Sequence, residues 1–284
     1  MATKKTSKTP VKKFVSQMDS TIKAYEDLDF LRSPACRGIR LELEYLKPTL
    51  AMNERQIKST IVVFGSARIK PPSEADKIVH KAVEDLAKAP DSAVCKKAFK
   101  EAQHIKAMSK YYAMAQEFAQ LVTNYDKDAS DGYQFVIITG GGGGIMEAGN
   151  RGANDCGGLT VGLNITLPFE QKANKYISDG LSFQFNYFSI RKMHFMIRAK
   201  ALGCFPGGFG TMDELFEGIT LIQTKIIPPM PVLLFGREYW EKIVNWQMFI
   251  DEGMISPDDL KLFTICDSAQ EGWNEICKFY NIIP

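Results

Sequence analysis

The fold class of this chain is set by a buried-strand pattern, Phe135-Val136-Ile137-Ile138-Thr139, that runs straight into the five glycines Gly140 to Gly144. A short, uninterrupted run of β-branched and aromatic residues is what a strand covered on both faces requires. Glycines at its end permit a tight turn, and Ile145-Met146-Glu147-Ala148 starts a helix directly afterwards. The unit recurs along the chain. Ile61-Val62-Val63-Phe64 closes on Gly65-Ser66, Thr160 to Ile165 is a third run, and Ala201 to Phe205 ends at Pro206 before Gly207-Gly208. Pro231 to Phe235 repeats the pattern, and Leu181 to Phe188 alternates polar with aromatic as a further strand. Helical stretches fall between them: 73–125, interrupted near Pro90-Asp91-Ser92, then 190–200 with Ser189 as its cap, 212–225, 239–249 and 270–280. Strands alternating with helices imply an α/β fold, a doubly wound parallel sheet of Rossmann-like type with right-handed crossovers.

Residues 1–57 differ in character. Lys4, Lys5, Lys8, Lys12 and Lys13 mark a solvated tail, with a nucleic-acid arm as the alternative, and a helical lead-in follows through Leu41 to Leu46. The expected division is an N-terminal extension, 1–57, partly disordered and then helical, followed by one Rossmann-like domain, 58–284. The net charge of +2 gives no ground for a nucleic-acid polymer or an anionic membrane as partner. No apolar run approaches the roughly 18–20 residues of a membrane span, and the polar start carries no secretory pattern, so a cytoplasmic location is expected. The six cysteines form no Cys-x-x-Cys pair and the three histidines lie apart from them, so zinc spacing is absent.

In open parallel sheets, ligands sit beyond the C-terminal ends of the strands where strand order reverses. Glycine clusters after Thr139 and Phe205 occupy such positions, and a strand, a glycine turn and a helix start together present free N–H groups to an anion. Neither cluster spells G-x-G-x-x-G, and neither is followed by Gly-Lys-Ser or Gly-Lys-Thr. That disfavours NAD and ATP as cofactors and favours a nucleoside monophosphate or sugar phosphate; no cofactor is expected. Thr211-Met212-Asp213-Glu214 has capping-box spacing, with Thr211 as N-cap, which accounts for Glu214 as well as a chemical role would. Acids crowding a phosphate site repel the ligand, however, and Glu214 and Glu217 share one helix face. Arg191 and Lys192 stand near the start of the preceding helix, where the dipole disfavours cations unless an anion answers them. His194 reads as a partly buried helix residue rather than a base.

Together these residues resemble the LONELY GUY (LOG) family of cytokinin riboside 5′-monophosphate phosphoribohydrolases, often labelled lysine decarboxylases. The family motif P-G-G-x-G-T-x-x-E stands complete as Pro206-Gly207-Gly208-Phe209-Gly210-Thr211-Met212-Asp213-Glu214, with Arg191-Lys192 and Met196 upstream. Gly65-Ser66 and the turn Gly141, Gly142, Gly144 with Met146 match as well, and the likeness covers roughly 61–249. It implies a catalytic domain that hydrolyses the N-glycosidic bond of a nucleoside 5′-monophosphate, giving free base and ribose 5-phosphate. It implies Arg191 and Glu214 as the catalytic pair. Gly207, Gly208, Gly210 and Thr211 then hold phosphate, and Gly65, Ser66, Gly141, Gly142, Gly144, Met146, Lys192 and Glu217 complete the substrate site. A homodimer or higher homo-oligomer is implied too. The chain is similar to the longer bacterial type, with Asn164, Leu167 and Pro168 extending the third strand. The label lysine decarboxylase implies pyridoxal phosphate, which no residue pattern here supports. The alternative is a nucleotide- or cofactor-binding protein on the same fold without hydrolysis.

Overall fold

A computed structural model describes residues 20–126, 132–167 and 172–283. The lysine-rich tail and Pro168 lie outside them. In chain order the elements are α1 (Leu28–Arg32), α2 (Arg37–Glu54), β1 (Thr60–Phe64), α3 (Pro72–Lys88), α4 (Ala93–Asp126), β2 (Val136–Thr139), α5 (Ile145–Asp155), β3 (Thr160–Ile165) and β4 (Ser182–Phe185). There follow α6 (Phe188–Ile197), β5 (Ala199–Cys204), α7 (Phe209–Gln223), β6 (Val232–Phe235), α8 (Arg237–Ile243), α9 (Trp246–Asp251), β7 (Thr264–Cys266) and α10 (Ala269–Tyr280).

The seven strands form one sheet in the order β4-β3-β2-β1-β5-β6-β7, and every pairing is parallel. The expected doubly wound fold is therefore present. Chain order runs outward from β1 to β4 on one side and from β5 to β7 on the other, so the switch point lies between β1 and β5. Alternation along β1 divides the core, because successive side chains point to opposite faces. Ile61 and Val63 pack with Phe118, Ile145, Phe205 and Trp273 under α4, α5 and α10. Val62 and Phe64 pack with Met52, Phe195, Leu215 and Trp240 under α2, α6, α7 and α8. Burying one such side chain stabilises the fold by roughly 1.5–3 kcal/mol, which is why the strands read as continuous apolar runs.

Several boundaries differ from expectation, each for a local reason. The lead-in helix α2 continues to Glu54 through Pro48. Proline lacks the N–H that would bond the Glu44 carbonyl, and the His194 ring nitrogen Nε2 reaches that carbonyl instead, at 3.2 Å. Since a carbonyl can only accept, Nε2 carries the proton. Burial lowers the His194 pKa, and the ring stacks on Tyr45, so its role is structural. Ser189 does not cap α6: the helix starts at Phe188, with Tyr187 at the N-cap and no side-chain bond from it. The Glu44 carboxylate instead ties down the chain just ahead of the helix, accepting from the N–H groups of Asn186 and Tyr187 at 2.9 and 3.1 Å. The expected helix 239–249 is two helices, broken where the Asn245 side chain accepts from Met248 N–H to start α9. Strand β7 was not expected, being only three residues long with a single fully buried side chain.

Candidate functional site

A cavity of about 830 Å³ opens at the C-terminal ends of β1, β2 and β5, at the switch point. Phe64 to Arg68 line it from the turn after β1, Gly140, Gly143 and Met146 from the turn after β2, and Gly208 to Thr211 with Asp213 and Glu214 from α7. Ile165, Leu167, Phe188 and Arg191 complete the wall.

The turns are tied to one another before any ligand is considered. Ser66 N–H donates to the Pro206 carbonyl at 3.0 Å, and Ile145 N–H donates to the Ser66 carbonyl at 3.1 Å. Gly144 begins α5 at φ 64°, and a Cβ there would lie 2.3 Å from the Ser66 carbonyl oxygen. At Gly207 a Cβ would collide with the Thr211 hydroxyl, and the Tyr239 phenol donates to the Gly207 carbonyl. These glycines are required by the protein itself. Gly208 and Gly210 are different, because a Cβ at either would meet no protein atom within 4 Å. They border only the cavity.

Helix α7 starts at Phe209, not Met212, with Gly208 as an N-cap that offers no side chain. The expected capping box is thus absent. Thr211 itself occupies N3, its N–H donating to the Gly208 carbonyl at 3.0 Å, and Glu214 lies three residues beyond that position. A glycine in the N-cap position leaves the first N–H groups of the helix without side-chain acceptors, open toward the cavity.

Glu214 is 5% exposed, and its Oε2 has no hydrogen-bond partner among the described residues. Burial pushes its pKa up to about 7, against the opposing pull of Lys192 and Arg191. Stability should follow. The folded state binds this proton more tightly than the unfolded chain, so the contribution is fully present below the ordinary value of 4.5 and is lost as pH rises through about 7. The shift corresponds to a loss on the order of 3 kcal/mol between those limits. Urea melts of the wild type at pH 5 and pH 8 should show it, and Glu214→Gln should abolish that part of the difference.

Arg191 enters the cavity from α6. Its Nε donates to the Leu163 carbonyl at 2.8 Å, and its guanidinium carbon stands 5.2 Å from the centre of the Phe195 ring. Burial lowers its pKa, and Glu214 opposes that shift. No direct ion pair joins the two residues; they face the same space from different helices. A Cβ on Gly140 would lie 2.6 Å from the Arg191 Nη2, so the guanidinium rests on bare backbone.

Of the residues the sequence singled out, the structure brings Gly65, Ser66, Met146, Arg191, Gly208, Gly210, Thr211 and Glu214 to the cavity wall. Gly141, Gly142, Gly144 and Gly207 shape its turns from behind. Lys192 stays off the wall, bridging Asp213 at 2.9 Å and Glu217 at 2.8 Å, so its charge offsets the acids around Glu214. Asp213 sits at the cavity edge with its side chain exposed. Sequence reasoning missed Arg68, whose signal was its place two residues after Gly65-Ser66, and the apolar lining of Phe64, Ile165, Phe188 and Phe209. Among the described residues that line the cavity there is no lysine.

The family described as "Possible lysine decarboxylase" matches residues 146–276. Among curated proteins, the chain is 28% identical over 155 residues to "Probable cytokinin riboside 5'-monophosphate phosphoribohydrolase LOGL5" of Oryza sativa subsp. japonica, covering 52% of this chain and 59% of that one. It is 32% identical over 82 residues to the LOGL3 protein of the same name and organism, covering 28% of this chain and 39% of that one. The chain thus spans less than two thirds of the length of the curated relatives it matches. A solved structure, the Moco carrier protein from Chlamydomonas reinhardtii, aligns with a TM-score of 0.45 at 18% identity, over 79% of this chain and 98% of that one. None of the described helices is long and apolar enough to cross a membrane. With Gly208, Gly210, Thr211 and Glu214 of the motif on one cavity wall, and the match running from Met146 through α7 into α10, the chain is similar to the family described as possible lysine decarboxylase and to the LOG-type phosphoribohydrolases named above.

Proposed function

We propose that this protein hydrolyses the N-glycosidic bond of a nucleoside 5′-monophosphate, releasing the base and ribose 5-phosphate. The observation that carries the reading is Glu214, a buried carboxylate with an unpartnered oxygen on the wall of a cavity that also receives an uncapped helix start. Leaving such an oxygen unpaired costs about 1–3 kcal/mol or more, a cost that ligand contacts offset.

In this reading the phosphate sits at the start of α7. The N–H groups of Phe209 and Gly210 and the Thr211 hydroxyl face it, and Gly208 and Gly210 let its oxygens approach the backbone. Arg68 and Ser66 close on it from the turn after β1. Held there, the ribose lies beside Glu214. Breaking the C1′–N bond sends its electron pair to the base and leaves oxocarbenium character on the sugar, which the Glu214 carboxylate stabilises. Water adds at C1′, and the base takes up a proton. Arg191 steadies the departing base or the phosphate from the opposite helix, and the apolar wall of Met146, Ile165, Leu167, Phe188 and Phe209 receives the base. The relatives' names make a cytokinin riboside monophosphate one candidate substrate and a common purine or pyrimidine nucleotide the other.

The test incubates purified protein with AMP, GMP, CMP, UMP and isopentenyl-AMP and reads free base by chromatography. Base release from at least one is expected. Tight binding without release from any would replace this reading with a nucleotide-binding protein.

A further inference from the structure

The turn after β2 is held from a direction its own motif does not supply. Asn174, between β3 and β4, donates its main-chain N–H to the Gly141 carbonyl at 2.9 Å. Its side-chain Nδ2 reaches the Gly141 carbonyl at 3.2 Å, the Gly142 carbonyl at 3.0 Å and the Asn150 Oδ1 at 2.8 Å. Its Oδ1 in turn accepts from Tyr176 N–H at 3.1 Å, which fixes the orientation of the amide.

Below the turn the network continues inside the protein. Asn150 is fully buried; its Oδ1 also accepts from the Thr139 hydroxyl at 2.7 Å, and its Nδ2 donates to the Thr160 hydroxyl at 2.6 Å and the Val161 carbonyl at 3.2 Å. Gly141 N–H donates to the Thr139 hydroxyl at 3.0 Å, with Gly141 at φ 74° directly over Asn164. A buried network so completely paired holds one arrangement of backbone, and removing a member leaves the others unsatisfied. The outer side of that same turn is Gly140, on which the Arg191 guanidinium rests.

We infer that Asn174 is a positioning residue, holding the glycine turn in the one shape that seats Arg191 against the cavity. The inference deepens the hydrolase reading and rests on it for its kinetic consequence. Asn174 does not line the cavity, so its effect on turnover passes through Gly140 and Arg191. The phosphate contacts on α7 lie on the other side of β1 and are left in place.

The experiment compares Asn174→Ala and Asn174→Ser with wild type, each alone and in an Arg191→Ala background, using the nucleotide that wild type turns over best. A displacement of about 1 Å at a catalytic group costs on the order of a hundredfold in rate, so kcat should fall about ten- to a hundredfold while KM stays within about threefold. With Arg191 already removed, the same substitution should lower kcat by less than about threefold, because the residue it positions is gone. An equal loss in both backgrounds would mean a general structural role and overturn the inference, as would an unchanged kcat in a folded variant. Should Asn174→Ala fail to fold, Asn174→Ser keeps the main-chain bond to Gly141 and carries the same measurements. Hydrogen exchange gives a readout independent of chemistry. Amides of 140–144 should exchange faster in the variants, while those of 209–214 keep the wild-type rate. If wild type releases no base from any nucleotide, the hydrolase reading fails alone. Exchange at 140–144 then decides on Asn174, an unchanged rate overturning it.

Discussion

Replacing Glu214 by glutamine should lower kcat for the preferred nucleotide by about a thousandfold, the scale of losing one charge-stabilising group from a water-poor site. Glutamine has nearly the same shape, and it removes a charge that burial already disfavours. Stability should therefore hold, or rise at pH 8, while activity collapses. That opposition separates a catalytic carboxylate from a helix cap, since loss of a cap costs stability and spares the chemistry. The helix geometry argues the same way, because α7 starts before Thr211 and leaves Glu214 no capping partner. The sign of the pH dependence follows from the role. Oxocarbenium stabilisation needs the ionised carboxylate, so kcat/KM of the wild type should rise with pH through about 7, the value burial imposes on Glu214. Glu214→Gln retaining wild-type kcat would reduce the residue to a structural part of α7.

Removing the phosphate from the substrate should cost nearly as much. Adenosine offered in place of AMP, or the nucleoside of whichever nucleotide is preferred, should show kcat/KM lower by about a thousandfold. In the proposed reaction the open helix start, Thr211 and Arg68 hold the phosphate, and charge-assisted hydrogen bonds are worth about 1.5–3 kcal/mol each. If their remote binding energy fixes the ribose beside Glu214 as proposed, part of the loss should fall on kcat as well as KM. Initial rates of base release for the two substrates at matched concentrations decide it. Equal turnover would remove the phosphate from the mechanism and leave Gly208 and Gly210 without a reason to lack side chains.

Much of this arrangement was legible in the chain. Apolar runs such as Ile61–Phe64 and Val136–Thr139 read as buried parallel strands because both of their faces are covered, which leaves no polar residues to blur the pattern. The P-G-G-F-G-T-M-D-E segment announced a turn and a helix start from its own residues. Where reasoning from spacing failed, the competing cause was tertiary. Thr211-x-x-Glu214 satisfies the capping-box spacing, yet the helix begins earlier, at Phe209, just after the Pro206 carbonyl that Ser66 N–H ties to the turn after β1. Ser189 was a sound cap candidate, but Glu44, more than 140 residues earlier, anchors Asn186 and Tyr187, and the helix starts at Phe188 ahead of the serine. Strand β7 was too short to carry a period, and its partner β6 supplies most of its definition.

By itself, then, the sequence determined the alternation of strands and helices, the parallel sheet, and the two glycine turns at its C-terminal edge, all properties of consecutive residues. Tertiary structure alone decided which side chains meet. It buried Glu214 without a partner, drew Lys192 away to Asp213 and Glu217, brought Arg68 to the cavity, and set Asn174 over the turn that carries Arg191. Those outcomes depend on distances between residues far apart in the chain, and the energetic cost of a buried charge or an unpaired oxygen exists only once the fold has removed the water around it.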